Sequence, residues 1–303
     1  MKVKLLALIF IFLAGWTSPQ SPVTIERVID WQERTVTFYL TTGVEVSRMP
    51  AARQSGEALI DRLKVSLIAE NLQSLPFDSW GGLTLALPRS GNVNFNLNEI
   101  ARTASKNYAV FTADMRSLRV AYSLPFESIT ANVTLQGNGY LPPNIMPSTT
   151  PFNYTGLVIY AALPLLVRDD NNLLEYLRPS LLPSIFAENG QSLLTPHIVS
   201  SPLLQQWGTA AHSYNEDSLT WPRERVGNNP LVISARGISG SGHSDAIISN
   251  SDANRLLASQ QGRDILRSGR VLFIITAAND NDELLAQLRA DRELAASMAL
   301  DRD

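Results

Sequence analysis

Val23-Thr24-Ile25-Glu26-Arg27-Val28-Ile29-Asp30 and Val36-Thr37-Phe38-Tyr39-Leu40-Thr41, separated by the polar Gln32-Glu33-Arg34, decide the fold class. Val23, Ile25 and Ile29 on the first arm and Val36, Phe38 and Leu40 on the second alternate with polar neighbours, so the pair reads as a β-hairpin with one buried face. Beyond it the period changes. Ala52, Leu59, Ile60, Leu63, Leu67, Ile68 and Leu72 recur at helical spacing, with Arg53, Glu57, Asp61, Arg62, Lys64 and Glu70 opposite, which predicts one long amphipathic helix over 48–74. Pro76 closes that helix, because proline disfavours helix before it and cannot continue the ladder.

The same reading carried along the chain predicts an α+β protein of two modules, with antiparallel or mixed sheet, packed helices and a C-terminal amphipathic helix. Residues 21–135 form the first module. Within it a short helix is expected over 96–107, then strands over 108–124 around the turn Met115-Arg116-Ser117. Residues 136–154, rich in Gly, Pro, Asn, Ser and Thr, read as a linker. The second module, 155–278, opens on the apolar strand Thr155 to Leu163. Strands are expected over 181–186 and 191–195 on either side of Glu188-Asn189-Gly190. Residues 200–225 read as loop. Strands resume at Pro230 to Ile238 and Ala246 to Ser249, and Ser249-Asn250-Ser251-Asp252 fits a capping box for a helix over 252–261. Arg270 to Thr276, with five consecutive apolar residues, reads as a central strand. The tail 279–303 predicts a charged amphipathic helix whose Leu284, Leu285, Leu288 and Met298 either dock on the body or bind a partner.

Bulk properties narrow the function. A chain of 303 residues accommodates one large or two modest domains. A net charge of −3 and no Lys/Arg cluster leave no electrostatic footprint for nucleic acid. Met1-Lys2-Val3-Lys4 followed by the uncharged run Leu5 to Trp16 has the layout of a signal peptide, assigned to residues 1–20 with cleavage between Thr17 and Ser21. The run falls short of the roughly 20 apolar residues that span a bilayer, and an uncleaved anchor is the alternative to cleavage. Leu13-Ala14-Gly15-Trp16 is similar to a lipobox with Trp in place of the lipid-bearing Cys, so the product is not lipid-anchored. The absence of cysteine excludes disulfides, thiolate metal sites and thiol catalysis together.

Motifs for chemistry are scarce. His197, His212 and His243 are the only histidines, and none pairs at metal-ligand spacing, so no metal or cofactor is predicted. Gly237-Ile238-Ser239-Gly240-Ser241-Gly242-His243-Ser244-Asp245 gathers Ser, His and Asp after a strand. It lacks the final Gly of a nucleophile elbow, and triad members normally come from separated segments, so it reads as a flexible polar loop. Asp169-Asp170-Asn171-Asn172 reads as a solvated turn rather than a calcium loop. Asp114, Glu127, Asp169, Asp170, Glu188 and Asp245 offer carboxylates for a glycosidase-like pair without a spacing that ranks them. Trp207, Tyr214 and Trp221 place three rings in a polar stretch, where they either plug the core or form an interface or ligand groove.

Thr155-Gly156-Leu157-Val158-Ile159-Tyr160-Ala161, Arg178-Pro179-Ser180-Leu181-Leu182-Pro183-Ser184-Ile185 and Glu188-Asn189-Gly190 together form an apolar strand, a Pro-flanked strand and a Gly turn. With Asn229-Pro230-Leu231-Val232-Ile233-Ser234-Ala235, Asp245-Ala246-Ile247-Ile248-Ser249 and Leu266-Arg267-Ser268-Gly269-Arg270-Val271, this order resembles exported envelope proteins of spirochaetes and deltaproteobacteria. Their layout is similar to the LPP20 lipoprotein and FlgP/FlgT group. The chain departs from that group in the missing lipobox Cys and in Tyr160-Ala161-Ala162-Leu163, which stands where a "DARG"-like segment is expected. The resemblance implies no catalytic residues. It implies a periplasmic or outer-membrane-associated structural or assembly protein, with other envelope proteins, flagellar motor components among them, as partners and with self-association open. The alternatives are an envelope hydrolase on a glycan or peptide and a ligand- or polymer-binding module.

Overall fold

A computed structural model describes residues 23–45, 51–83, 96–133, 141, 153–168 and 170–276. Residues 1–20, expected as a signal peptide, most of the 136–154 stretch, and the tail with Leu284, Leu285, Leu288 and Met298 lie outside the described residues. No helix among the described residues is long and apolar enough to cross a membrane.

The fold is α+β. In the first half, β1 (Val23–Asp30), β2 (Thr35–Gly43), β5 (Ser105–Phe111) and β6 (Ser117–Pro125) form an antiparallel sheet in the order β1-β2-β6-β5. The opening hairpin turns at residues 31–34, where Arg34 takes a left-handed φ of 56°. Val36, Phe38 and Leu40 of β2 stand beside Leu124, Tyr122 and Val120 of β6, and all six are buried. The helix α1 (Ala51–Leu72) covers this face with Ile60, Ile68 and Leu72. Its polar side also engages the sheet, since Asp61 Oδ1 accepts the Tyr122 hydroxyl at 2.6 Å and Lys64 lies 5.0 Å from that ring.

Where a helix is expected over 96–107, α2 (Leu97–Arg102) stops after six residues. Asn96 caps it by accepting the Glu99 amide, and the chain then enters β5, because pairing with β6 outweighs local helix preference. A small hairpin of β3 (Pro76–Asp78) and β4 (Gly81–Gly82) follows α1, and α3 (Phe126–Thr130) follows β6.

The second half holds two sheets. One is parallel throughout: β12 (Ala211–Ser213), β16 (Val271–Ile274), β7 (Gly156–Tyr160) and β13 (Pro230–Ser234), in that order. Its inner strands β7 and β16 are the two most continuous apolar runs, as burial on both faces requires. The other is mixed, in the order β11-β10-β15-β14-β8-β9, built from β8 (Leu165–Val167), β9 (Asp170–Glu175), β10 (Ile185–Ala187), β11 (Ser192–Leu194), β14 (Gly237–Ser239) and β15 (Asp245–Ile248). Asp170 therefore begins a strand rather than a solvated turn. The expected strand over 181–186 is confined to its end, because Leu181 and Leu182 donate their amides to Pro76 and Phe77 of the first half. The stretch 200–225 is not loop but carries α4 (Ser201–Trp207), β12, a 3₁₀ turn (Ser218–Thr220) and the start of α5 (Arg223–Val226). The expected helix over 252–261 is two: α6 (Asn250–Ala258), capped by Ser249 as predicted, and α7 (Gln260–Arg267), capped by Ser259. Gly262 permits the break, since a Cβ there would lie 2.1 Å from the Leu256 carbonyl oxygen.

One hydrophobic core runs through both halves. Along the seam α3 packs on α4, Thr130 Oγ1 donates to the Gln205 carbonyl at 2.6 Å, and Trp31 meets His212 edge-on at 5.7 Å. Arg34, from the hairpin turn, and fully buried Arg225 both donate to the Trp207 carbonyl at the end of α4. Arg225 also donates Nε to Gly269 O at 2.8 Å and stacks 4.9 Å from the Trp207 ring. Cations at the carbonyl end of a helix satisfy its orphan acceptors and its dipole. Burial, with Arg34 beside it, holds the Arg225 guanidinium well below its usual range, so its hydrogen bonds carry the cost of its desolvation. Replacing Arg225 with Leu strips these carbonyls of their donor. The expected loss is about 3 kcal/mol in urea unfolding, with Arg225→Lys failing to restore it because a single ammonium cannot span the carbonyls of Trp207, Gly208 and Gly269.

Candidate functional site

The loop from Gly237 to Asp245 is a cradle and not a flexible polar segment. Asp78-Ser79-Trp80, at the tip of the small β3-β4 hairpin, projects from the first half into it. The Ser79 carbonyl accepts from the Gly242 amide at 2.6 Å and from the Ser241 hydroxyl at 3.2 Å. The Ser79 hydroxyl donates to Asp245 Oδ2, while Oδ1 accepts the Ser184 amide at 2.7 Å. Gly240 lies at φ 82°, and a Cβ on it would sit 2.4 Å from Ser79 Cβ. The glycines thus serve close backbone approach, one of the uses for which a side chain is excluded. His243 occupies a left-handed φ of 54° in the same turn, its backbone bonded to Gly240 and Arg178.

This arrangement does not assemble a Ser-His-Asp triad, because the Ser79 hydroxyl meets the Asp245 carboxylate directly with no imidazole between them. Asp245 is 4% exposed. Burial, abetted by Asp78, pushes its carboxyl up to about 6, against the lowering by the Ser79 and Ser184 hydrogen bonds. A cavity of about 350 Å³ opens beside it, bounded by the hairpin tip on one side and Phe186, Thr195, Pro196 and His197 of the second half on the other. Of the three histidines, His197 lines this cavity. His212 is buried between Trp31 and Phe273, and burial followed by Arg225 and Arg34 presses it down to about 3. Among the described residues no cluster of three or more His, Asp or Glu is placed to hold a metal ion.

The three predicted aromatic residues lie apart in their engagements. Trp207 carries Arg225 on its face and donates Nε1 to Ser268 O. Trp221 is half-buried on the small cluster of Val158, Ala211, Val226, Leu272 and Ile274 and donates Nε1 to Asn215 O. Tyr214 is exposed.

A second surface of note is the outer face of the first sheet. There Tyr39 of β2 and Tyr108 of β5 flank Ala121 of β6, and the next rows hold Val28, Thr37, Arg119 and Val110. Val28 is 54% exposed, Tyr108 and Val110 47% each. Arg119 lies 5.8 Å from the Tyr39 ring and 3.5 Å from Glu26.

A family model described as the N-terminal domain of Treponema pallidum Tp0624 matches residues 22–132, and one described as its second domain matches 156–280. The chain belongs to this spirochaete-type family. The Tp0624-type N-terminal domain here is the antiparallel sheet with α1, and the second domain is the pair of sheets that receives Ser79. No curated protein matches the chain.

Neither Ser79 nor the cavity is apparent from local spacing, since 166 positions separate Ser79 from Asp245. The available signal is the turn composition of Asp78-Ser79-Trp80-Gly81-Gly82 set against the glycine-rich loop. Two outcomes test the cradle. Gly240→Ala costs about 3 kcal/mol or more in chemical denaturation, while Gly190→Ala, at φ 89° but with open space around it, costs about 1 kcal/mol. Asp245 also links stability to pH. A folded pKa of about 6 against an ordinary 3.8 means its contribution is complete below the lower value and is lost as pH rises through the upper. Asp245→Asn, whose amide still accepts from Ser184 and donates to Ser79, is therefore expected to be more stable than the parent at pH 7, by roughly 2 kcal/mol, and to match it near pH 4. Thermal melts of both proteins at each pH cancel the opposing contribution of His212.

Proposed function

We propose that the protein is an exported structural or assembly protein of the cell envelope, working through the open face of its first sheet. The observation that carries this reading is the exposure of Val28, Tyr108 and Val110, in three successive rows of one sheet face that also holds Tyr39 and Arg119. Tyrosine and arginine on an apolar ground are the residue types that dominate protein interfaces, because they bury large area at low entropic cost and keep a polar handle. The face is favoured over the β5 edge. At the β5 edge the register slips between Lys106 and Tyr108, a bulge of the kind that blunts edge-to-edge pairing.

Export is supported by the basic start and apolar run of residues 1–16. The resemblance to the LPP20 and FlgP/FlgT layout extends the reading to partners among other envelope proteins, in the neighbourhood of a flagellar motor. With Trp in the lipobox position, the protein reaches those partners by contact rather than by a lipid anchor.

A photo-crosslinking residue at position 108 is expected to capture an envelope protein in cells, whereas the same residue at Arg62, on the exposed side of α1, captures none. Val110→Glu abolishes the capture and reproduces the motility of a deletion strain, with stability changed by no more than about 0.5 kcal/mol as for other surface substitutions. Unchanged capture in the Val110→Glu variant contradicts the assignment.

A further inference from the structure

The cavity beside Asp245 joins two features that nothing in the Ser79 cradle requires. Its walls carry two carboxylates, Asp78 and Asp245, with His197 as their one basic side chain and no Lys or Arg. Its remaining surface mixes aromatic and apolar groups with the polar Ser192 and Thr195; Phe77 is buried, Phe186 half-buried and Trp80 57% exposed at the mouth. A volume of about 350 Å³ falls in the range of small-molecule sites.

Asp245 is the informative residue. A carboxylate offers about four acceptor positions, and two of them are taken, one by the Ser79 hydroxyl and one by the Ser184 amide. Both donors are neutral. A charge buried this deeply is ordinarily paired with an opposite one, yet the group beside it is a second carboxylate, Asp78. We propose that the cavity binds a small primary amine with an apolar body, its ammonium set against Asp245 and Asp78 and its body against Phe77, Trp80 and Phe186. The ammonium supplies the missing countercharge and up to three donors for the remaining carboxylate positions. Aromatic faces attract a cation through their quadrupole and accept the apolar body equally well. A carboxylate or phosphate ligand is disfavoured on both counts. Burial and the neighbouring acid raise the Asp245 carboxyl, a bias that a bound cation reverses. The site is separate from the open sheet face, so the inference stands whether or not that face is an interface.

Saturation-transfer NMR titration of the full chain tests this with three probes of one shape: benzylamine, benzyl alcohol and benzoate. Benzylamine is expected to bind saturably, benzyl alcohol about tenfold more weakly, and benzoate not at all. Asp245→Asn weakens benzylamine about tenfold while leaving benzyl alcohol unchanged, and Trp80→Ala, at an exposed position, weakens both probes with an unaltered circular dichroism spectrum. The inference is overturned by equal binding of amine and alcohol, by benzylamine affinity that survives both substitutions, or by absence of benzylamine binding.

Discussion

A single peptide group, that of Ser79, is held from both ends by the half of the chain that begins some eighty positions later. Its carbonyl receives the Gly242 amide and the Ser241 hydroxyl, and its side chain donates to a buried carboxylate. Other contacts of the seam stand beside this insertion. Pro76 and Phe77, on the strand that carries the hairpin tip, accept from Leu181 and Leu182. Arg34 reaches Trp207 from the opposite end of the same interface. Three sheets that share no strand thereby enclose one core, which is how a chain without cysteine joins its halves. Buried hydrogen bonds have defined directions, so those across the seam fix its register as well as holding it.

The elements legible in the sequence are those in which local period and tertiary burial agree. Val23 to Leu40 alternate and lie in a two-sided sheet whose inner face is the apolar one; residues 51–72 repeat at helical spacing and cover it; Ser249 caps a helix as its spacing to Asp252 requires. The misreadings occur where a distant partner decides. Ser105 to Asn107 look helical in isolation but complete a strand because β6 lies open beside them. Leu181 and Leu182 are apolar enough for a strand, yet their amides are consumed by the inserted hairpin. The helix after Ser249 breaks because Ser259 and Gly262 form a second cap, a signal that resembles an ordinary helical turn until the Leu256 carbonyl is placed against it.

The candidate site shows the same division more sharply. Gly237 to Asp245 stands out in composition, and its glycines have a clear physical use, but that use is visible only once Ser79 is in place. Read alone, the segment suggests mobility; read with its partner, it is among the most constrained parts of the molecule, with Ser244 and Asp245 both buried. Trp207 similarly belongs to an arginine-centred network rather than to a loop, because Arg225 and Gly269 approach it from later in the chain. Family membership leaves the chemistry of the cavity to be judged from its own residues.

Native-state hydrogen exchange of the Gly242 amide addresses the insertion most directly, because that hydrogen is donated across the seam to Ser79. If the inserted hairpin joins the halves into one cooperative unit, Gly242 exchanges only through global unfolding, with the same free energy as the Phe273 amide of the central parallel strand and the Phe38 amide of the first sheet. Exchange of Gly242 through a low-energy local opening, while Phe273 and Phe38 remain protected, would contradict the account.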